Sequence, residues 1–139
     1  MIRPGESVFV DTGAFIALAL TRDPLHDRAV PVWEALGRKG ARFHTSIPVM
    51  IETFTFLDRN TTRQVARAWR SATERVPRLR IHECRRADLD AAWSWFDRED
   101  LAKLSAVDAT SFVIMQRAKI RLAFAFDHHF AAAGFRLAG

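Results

Sequence analysis

The run Arg121–Phe130, "RLAFAFDHHF", climbs through apolar residues and stops on Asp127. Near the other end, Val8–Phe15, "VFVDTGAF", does the same and stops on Asp11. Each apolar run is short, rich in aromatic or β-branched residues and unbroken by polar alternation, so each reads as a strand buried on both faces. Two more strands are expected in "ARFHT" (41–45) and "RLRIHE" (78–83). Segments of helical periodicity lie between the four runs. Strands alternating with helices predict an α/β fold, a parallel sheet covered on both faces. In an open sheet of that kind, ligands bind beyond the carboxyl ends of the strands. If the first and last of these strands are neighbours, Asp11 and Asp127 meet at that edge.

The helices are expected one by one. From Ile47 onward, Met50, Ile51, Phe54 and Leu57 recur at helical spacing as an apolar stripe, with Ser46 as N-cap and Pro48 tolerated in the first turn. In "TTRQVARAWRSA" (61–72), Val65, Trp69 and Ala72 face one way while Arg63, Arg67 and Arg70 line the other. Leu89, Trp93 and Phe96 stripe a further helix, leaving Trp95 on its shoulder and exposed. The last long helix begins after Ser105, its expected cap. Pro31, inside "PLHDRAVPVWEALGRKG" (24–40), is expected to kink or split that helix.

Bulk properties narrow the partners. The 139 residues carry 49% hydrophobic residues, enough for a core and short enough for a single domain over 1–139. The net charge of +5, mostly from arginine, points to an anionic partner such as nucleic acid. Cys84 is the single cysteine, so no internal disulfide can form and a reducing compartment fits. The start lacks a signal-peptide pattern, and "AFIALAL" (14–20) is far below the ~20 residues of a membrane span. A cytoplasmic protein without membrane contact is expected.

Four acids are candidates for a site. Asp11 and Asp127 each have an alternative reading as a helix N-cap. Asp108 lies on the same helical stripe as Ser111, Phe112 and Met115, an unusual direction for a carboxylate, although it also fits a capping box with Ser105. Glu52 shares a face with Val49 and Phe56, away from the apolar stripe, and alone it reads as a solvated glutamate. Four converging carboxylates repel one another unless some stay protonated or a hard cation joins them. Mg²⁺ or Mn²⁺ prefers such oxygen ligands. A basic surface around a metal-loaded acidic pocket suits a nuclease, the cation at the scissile phosphate and arginines on its neighbours.

In order and spacing, "VFVDTGAF", "TSIPVMIETFTFL", "LSAVDATSF" and "FAFDHHFAAAGF" resemble the PIN-domain family, in particular its VapC-type toxins. The likeness covers nearly the whole chain. It implies a three-layer α/β/α sandwich with a central parallel sheet of four or five strands. It further implies endoribonuclease activity with Mg²⁺ or Mn²⁺, and a cognate antitoxin that masks the pocket. Carried over, Asp11, Glu52, Asp108 and Asp127 are the metal-binding acids and Thr12 supports the first of them. Many relatives carry a further acid just after the last aspartate. Here His128 and His129 stand there, and both are expected to be simply solvated.

Other readings are weighed by the same residues. A haloacid-dehalogenase-like phosphotransferase needs a second aspartate two positions after the first, and position 13 is glycine. No glycine-rich phosphate loop with a lysine is present. A non-catalytic RNA-binding module would use the Arg63/Arg67/Arg70 face, which also reads as a plain solvated surface; clustered acids do not help such a module. Phe56, off the core stripe, is expected to contact the antitoxin on a face it shares with Val49 and Glu52. Together with Trp95 it also makes a homodimer an expectation.

Overall fold

Strands form where the four apolar runs fall. In the computed structural model, which describes residues 1–139, they are β1 (Ser7–Val10), β2 (Arg42–Ser46), β3 (Arg80–His82) and β4 (Leu122–Phe124). A fifth strand, β5 (Arg136–Leu137), follows the turn at Gly134, whose φ is +102°. Two residues are too few to show any alternation, so this strand leaves no signal of its own. All pairings are parallel and the order is β3-β2-β1-β4-β5. The chain builds outward from β1 through β2 to β3, then crosses back to lay β4 on the other side of β1. The reversal therefore falls between β1 and β4, which pair Val8 with Leu122 and Val10 with Phe124. Val8, Phe9 and Val10 are all fully buried, as are Leu122, Ala123 and Phe124. Successive strand residues point to opposite faces, so helices must cover both.

The helices are α1 (Thr12–Ala19), α2 (His26–Arg38), α3 (Ile47–Asn60), α4 (Arg63–Thr73), α5 (Arg86–Ala92), α6 (Ala106–Arg117) and α7 (His128–Ala132). Trp33 of α2 lies 4.6 Å from Phe43 of β2 and 6.5 Å from Phe124 of β4, ring to ring. Phe112 of α6 gathers Trp95, Phe130 and Phe135 within 5.0–5.7 Å. Of the expected kink or split at Pro31 the split does not occur, since α2 runs unbroken through it. Its missing N–H would have bonded the carbonyl of Asp27 in the first turn, where water can serve instead.

Three faces are turned differently from the expected stripes. In α3 the buried residues are Val49, Thr53 and Leu57, while Ile47 and Ile51 are exposed, Ile51 by 61%. Thr53 can go inside because its hydroxyl donates to the Val49 carbonyl at 2.8 Å. A small residue there lets α3 approach its neighbours closely. In α4 the buried residues are Ala66, Trp69 and Thr73, whereas Val65 is half-buried and Ala72 is exposed. Beyond α5 the chain tightens into a 3-10 turn over Trp93–Asp97. The change of pitch puts Trp95 against Phe112 and leaves Trp93 52% exposed, with Phe96 also outside, the reverse of the expected arrangement.

Candidate active site

Asp11 ends β1 and its amide donates to the Phe124 carbonyl of β4 at 3.0 Å. The backbone thus carries the carboxylate to the place where the strand order reverses. Thr45 reinforces it from β2, its hydroxyl donating to the Val10 carbonyl at 2.9 Å. Although Asp11 sits at the N-cap position of α1, its side chain makes no capping bond. It is 4% exposed, and its Oδ1 and the neighbouring Thr12 hydroxyl are buried without any hydrogen-bond partner. Burial pushes its pKa up to about 7; the Thr12 and Gly13 amides pull down, and Glu52 and Asp127 push further up.

Asp108 reaches the same place from the first turn of α6. Ser105 caps that helix by accepting from the Asp108 amide at 3.0 Å. No return bond runs from the Asp108 carboxylate to Ser105, so its side chain is free to face the other acids. Burial raises its pKa to about 8, and the charges of Asp11 and Asp127 add to the rise, as does a hydrogen bond to Asp127. Asp127 lies on the other side of that bond. Its own burial would raise it, but the backbone N–H and ring of His129 outweigh that and hold it below its ordinary value. Glu52, half-buried on α3, is close enough to push up both Asp11 and Asp108. All four expected acids therefore share one electrostatic environment. Asp127 is also a true cap, accepting from the His129 amide at 2.9 Å, so both of its readings hold.

His129 is not the solvated loop residue the sequence suggested. It is 5% exposed, with Nε2 at 2.8 Å from the Ala102 carbonyl and Nδ1 at 2.8 Å from Asp127 Oδ1. A signal for it exists in "DHHF": the residue beside a core Phe130, two places after a capping aspartate, turns inward. His128 does stay in solvent, its Nδ1 3.7 Å from the same oxygen. Asp127, His128 and His129 bring their ligand atoms within 4.8 Å of one another. Because both rings crowd a single carboxylate oxygen, they brace Asp127 rather than enclose a space of their own. The oxygen-only donor set of the four acids, with an orphaned Asp11 Oδ1 and Thr12 hydroxyl, fits a hard divalent cation.

The remaining expected residues divide. Arg63 is held by Asp58 at 2.8 Å and Arg70 approaches Glu74 at 3.5 Å, so in the α4 stripe Arg67 alone is unpaired. Phe56 is 39% exposed, outside the core as expected. Val49 is fully buried, so the face near Phe56 is lined instead by Ile47, Ile51, Glu52, Cys84 and Val107, which form a groove of about 610 Å³.

A profile of the PIN domain matches residues 8–136. The chain belongs to the PIN-domain family. It is 39% identical over 129 residues to the 23S rRNA-specific endonuclease VapC20 of Mycobacterium tuberculosis, covering 92% of this chain and 95% of that protein. The crystal structure of that toxin, described as cleaving the sarcin–ricin loop, superposes with a TM-score of 0.81 at 35% identity over 92% of this chain and 95% of that one. The fold is shared with VapBC2 of Rickettsia felis, solved on a promoter DNA fragment, at a TM-score of 0.70 and 10% identity over 94% and 96% of the two chains. The expected α/β/α sandwich with its parallel sheet is borne out, here with five strands. So is the expected class: this is a PIN-type endonuclease, the homologue of a ribonuclease toxin. No helix is long and apolar enough to cross a membrane.

Proposed function

We propose that this protein is a Mg²⁺- or Mn²⁺-dependent endoribonuclease, the cytoplasmic toxin of a toxin–antitoxin pair, with Asp11, Glu52, Asp108 and Asp127 as its metal-holding acids. One observation carries the reading: four carboxylates meet at the sheet's switch point, two of them pushed to about 7 and about 8 with no basic group to neutralise them. His129 answers only Asp127, so the rest of the buried cluster is a standing cost to the fold, and a cation that binds there lowers that cost. When bound, such an ion supplies positive charge at the scissile phosphate and lowers the pKa of a water. The chain's own residues set the geometry. Asp11 offers its orphaned Oδ1, the Thr12 hydroxyl stands beside it, and His129 fixes the orientation of Asp127. Arg28, whose guanidinium lies 5.2 Å from the ring of Phe126, the residue before Asp127, is a candidate contact for a phosphate. Arg67 supports the RNA backbone from α4; Arg63 and Arg70 join it only by leaving exposed ion pairs, which are worth little.

The antitoxin, in this reading, lays an apolar helix in the groove of Ile47, Ile51 and Phe56 and extends a basic side chain past Glu52 to the acids. The exposed Ile51 and Phe56 also offer a face to a second copy. The deciding experiment incubates the purified chain with labelled RNA, 23S rRNA first because the relative is named for it. Cleavage is expected with Mn²⁺ or Mg²⁺ and none in excess chelator. Equal cleavage in chelator removes the metal from the reading, and no cleavage of any RNA with either ion removes the nuclease.

A further inference from the structure

The acids occupy one end of the sheet, and unpaired cations gather at the other. A cleft of about 560 Å³ opens at the amino ends of the last two strands, where Arg121 precedes β4 and Arg136 begins β5. Arg3, Gln116 and Lys119 complete its polar lining, and no carboxylate lines it. Some surface arginines are paired with acids, among them Arg63 with Asp58, Arg70 with Glu74, Arg86 with Asp90 and Arg98 with Asp100; others, such as Arg22, Arg38 and Arg75, are not, but they do not line this cleft. What marks the cleft is that several cations share one hollow. Arg136 holds Glu6 and the Met1 carbonyl, whereas Arg3, Lys119 and Arg121 have no ion pair in the chain. Three exposed cations around one hollow, with an amide donor from Gln116 among them, recognise a polyanion.

We propose that this cleft is a second phosphate-binding site that anchors folded RNA at a distance from the acids. The proposal rests on the endoribonuclease reading for the identity of its ligand. The chain from Arg121 to Asp127, at ~3.3 Å per residue, separates the two sites by at most roughly 20 Å. A single-stranded fragment that fills the acidic site does not extend so far unless it is several nucleotides long, at ~3.4 Å per stacked nucleotide. An RNA hairpin does. The cleft thus engages RNA long enough to reach it, a hairpin among them, through the backbone and without base information.

The test uses the full chain with Arg3→Gln, Lys119→Gln and Arg121→Gln together, leaving the tethered Arg136 in place. A control carries Arg22→Gln, Arg38→Gln and Arg75→Gln, the same charge change on other surfaces. Binding of an RNA hairpin is measured over a salt series in an Asp11→Asn background, and KM and kcat in the active chain. The cleft variant is expected to lower the slope of log affinity against log salt by about 2–3, with affinity down on the order of tenfold and the control unchanged. KM should rise by a similar factor while kcat holds. Equal slopes in parent and cleft variant overturn the anchor, as does an equal loss in the control, which would make the effect a diffuse field. Preference of the parent's cleft for polyaspartate over RNA also overturns it. A slope difference in a chain that cleaves nothing upholds the anchor and sinks the nuclease reading alone.

Discussion

Replacing Asp11 with Asn keeps the side chain's shape and removes one of its oxygens and its charge. Cleavage is expected to fall at least ~100-fold with the fold intact, the scale of loss when a metal site is disturbed. Single-turnover rates on labelled RNA, alongside circular dichroism, check both halves. Asp108 gives a sharper electrostatic test. Its folded pKa, about 8, lies above its ordinary 3.8, so the folded state holds this proton more tightly than the unfolded chain does. The resulting stability is fully present below pH 4 and is lost as pH rises through about 8. Metal-free Asp108→Asn should therefore be more stable than the parent at pH 8, the gap closing toward pH 4; identical denaturation midpoints across that window would contradict a buried acid cluster. These acids were candidates in the sequence because two end apolar strand runs and a third lies on a core-facing helix stripe, although each of the three also fits a helix cap. His129 was only partly legible: its place after a capping aspartate and beside Phe130 is in the sequence, but the Ala102 carbonyl that holds its ring meets it only in the folded chain.

Among the elements, α3 shows how an apolar stripe can mislead. Isoleucines at 47 and 51 look like core by hydrophobicity, yet the helix is buried along Val49, Thr53 and Leu57. A threonine that satisfies its own hydroxyl within the helix costs little to bury, and no hydropathy pattern marks it. Strand positions read more reliably, because a strand buried on both faces needs only an apolar run, with no phase to misjudge. The consequence for α3 is measurable. Leu57→Ala should cost ~2–5 kcal/mol of stability, as a fully buried leucine does. Phe56→Ala should cost under ~1 kcal/mol in the isolated chain. The same Phe56 variant should weaken antitoxin binding by ~1–3 kcal/mol if its ring anchors the partner. Chemical denaturation and calorimetric titration on one preparation separate the two effects. A reversed order, with Phe56 costly to the fold and neutral to the antitoxin, would exclude the groove as the docking face.

At the scale of the whole molecule, one end of the sheet is acidic and the other basic, while the core between them is apolar and continuous. Divalent ions should act on the entire fold through the acidic end. Mn²⁺ at a hundred times its Kd should stabilise the native state by ~2.7 kcal/mol and raise Tm accordingly. At limiting Mn²⁺ cleavage should climb from pH 6 to about pH 8, because the ion displaces protons that Asp11 and Asp108 hold at about 7 and about 8. A flat pH–rate profile under those conditions would argue against that competition. The strand order has one more consequence, and it concerns synthesis. Asp11 is synthesised well before Asp127, yet the two meet only once β4 slots in beside β1. A chain that has not yet reached Asp127 therefore has at most three of the four acids and no assembled pocket. By the order of its strands, the pocket cannot assemble until the segment that carries β4 and Asp127 has been made.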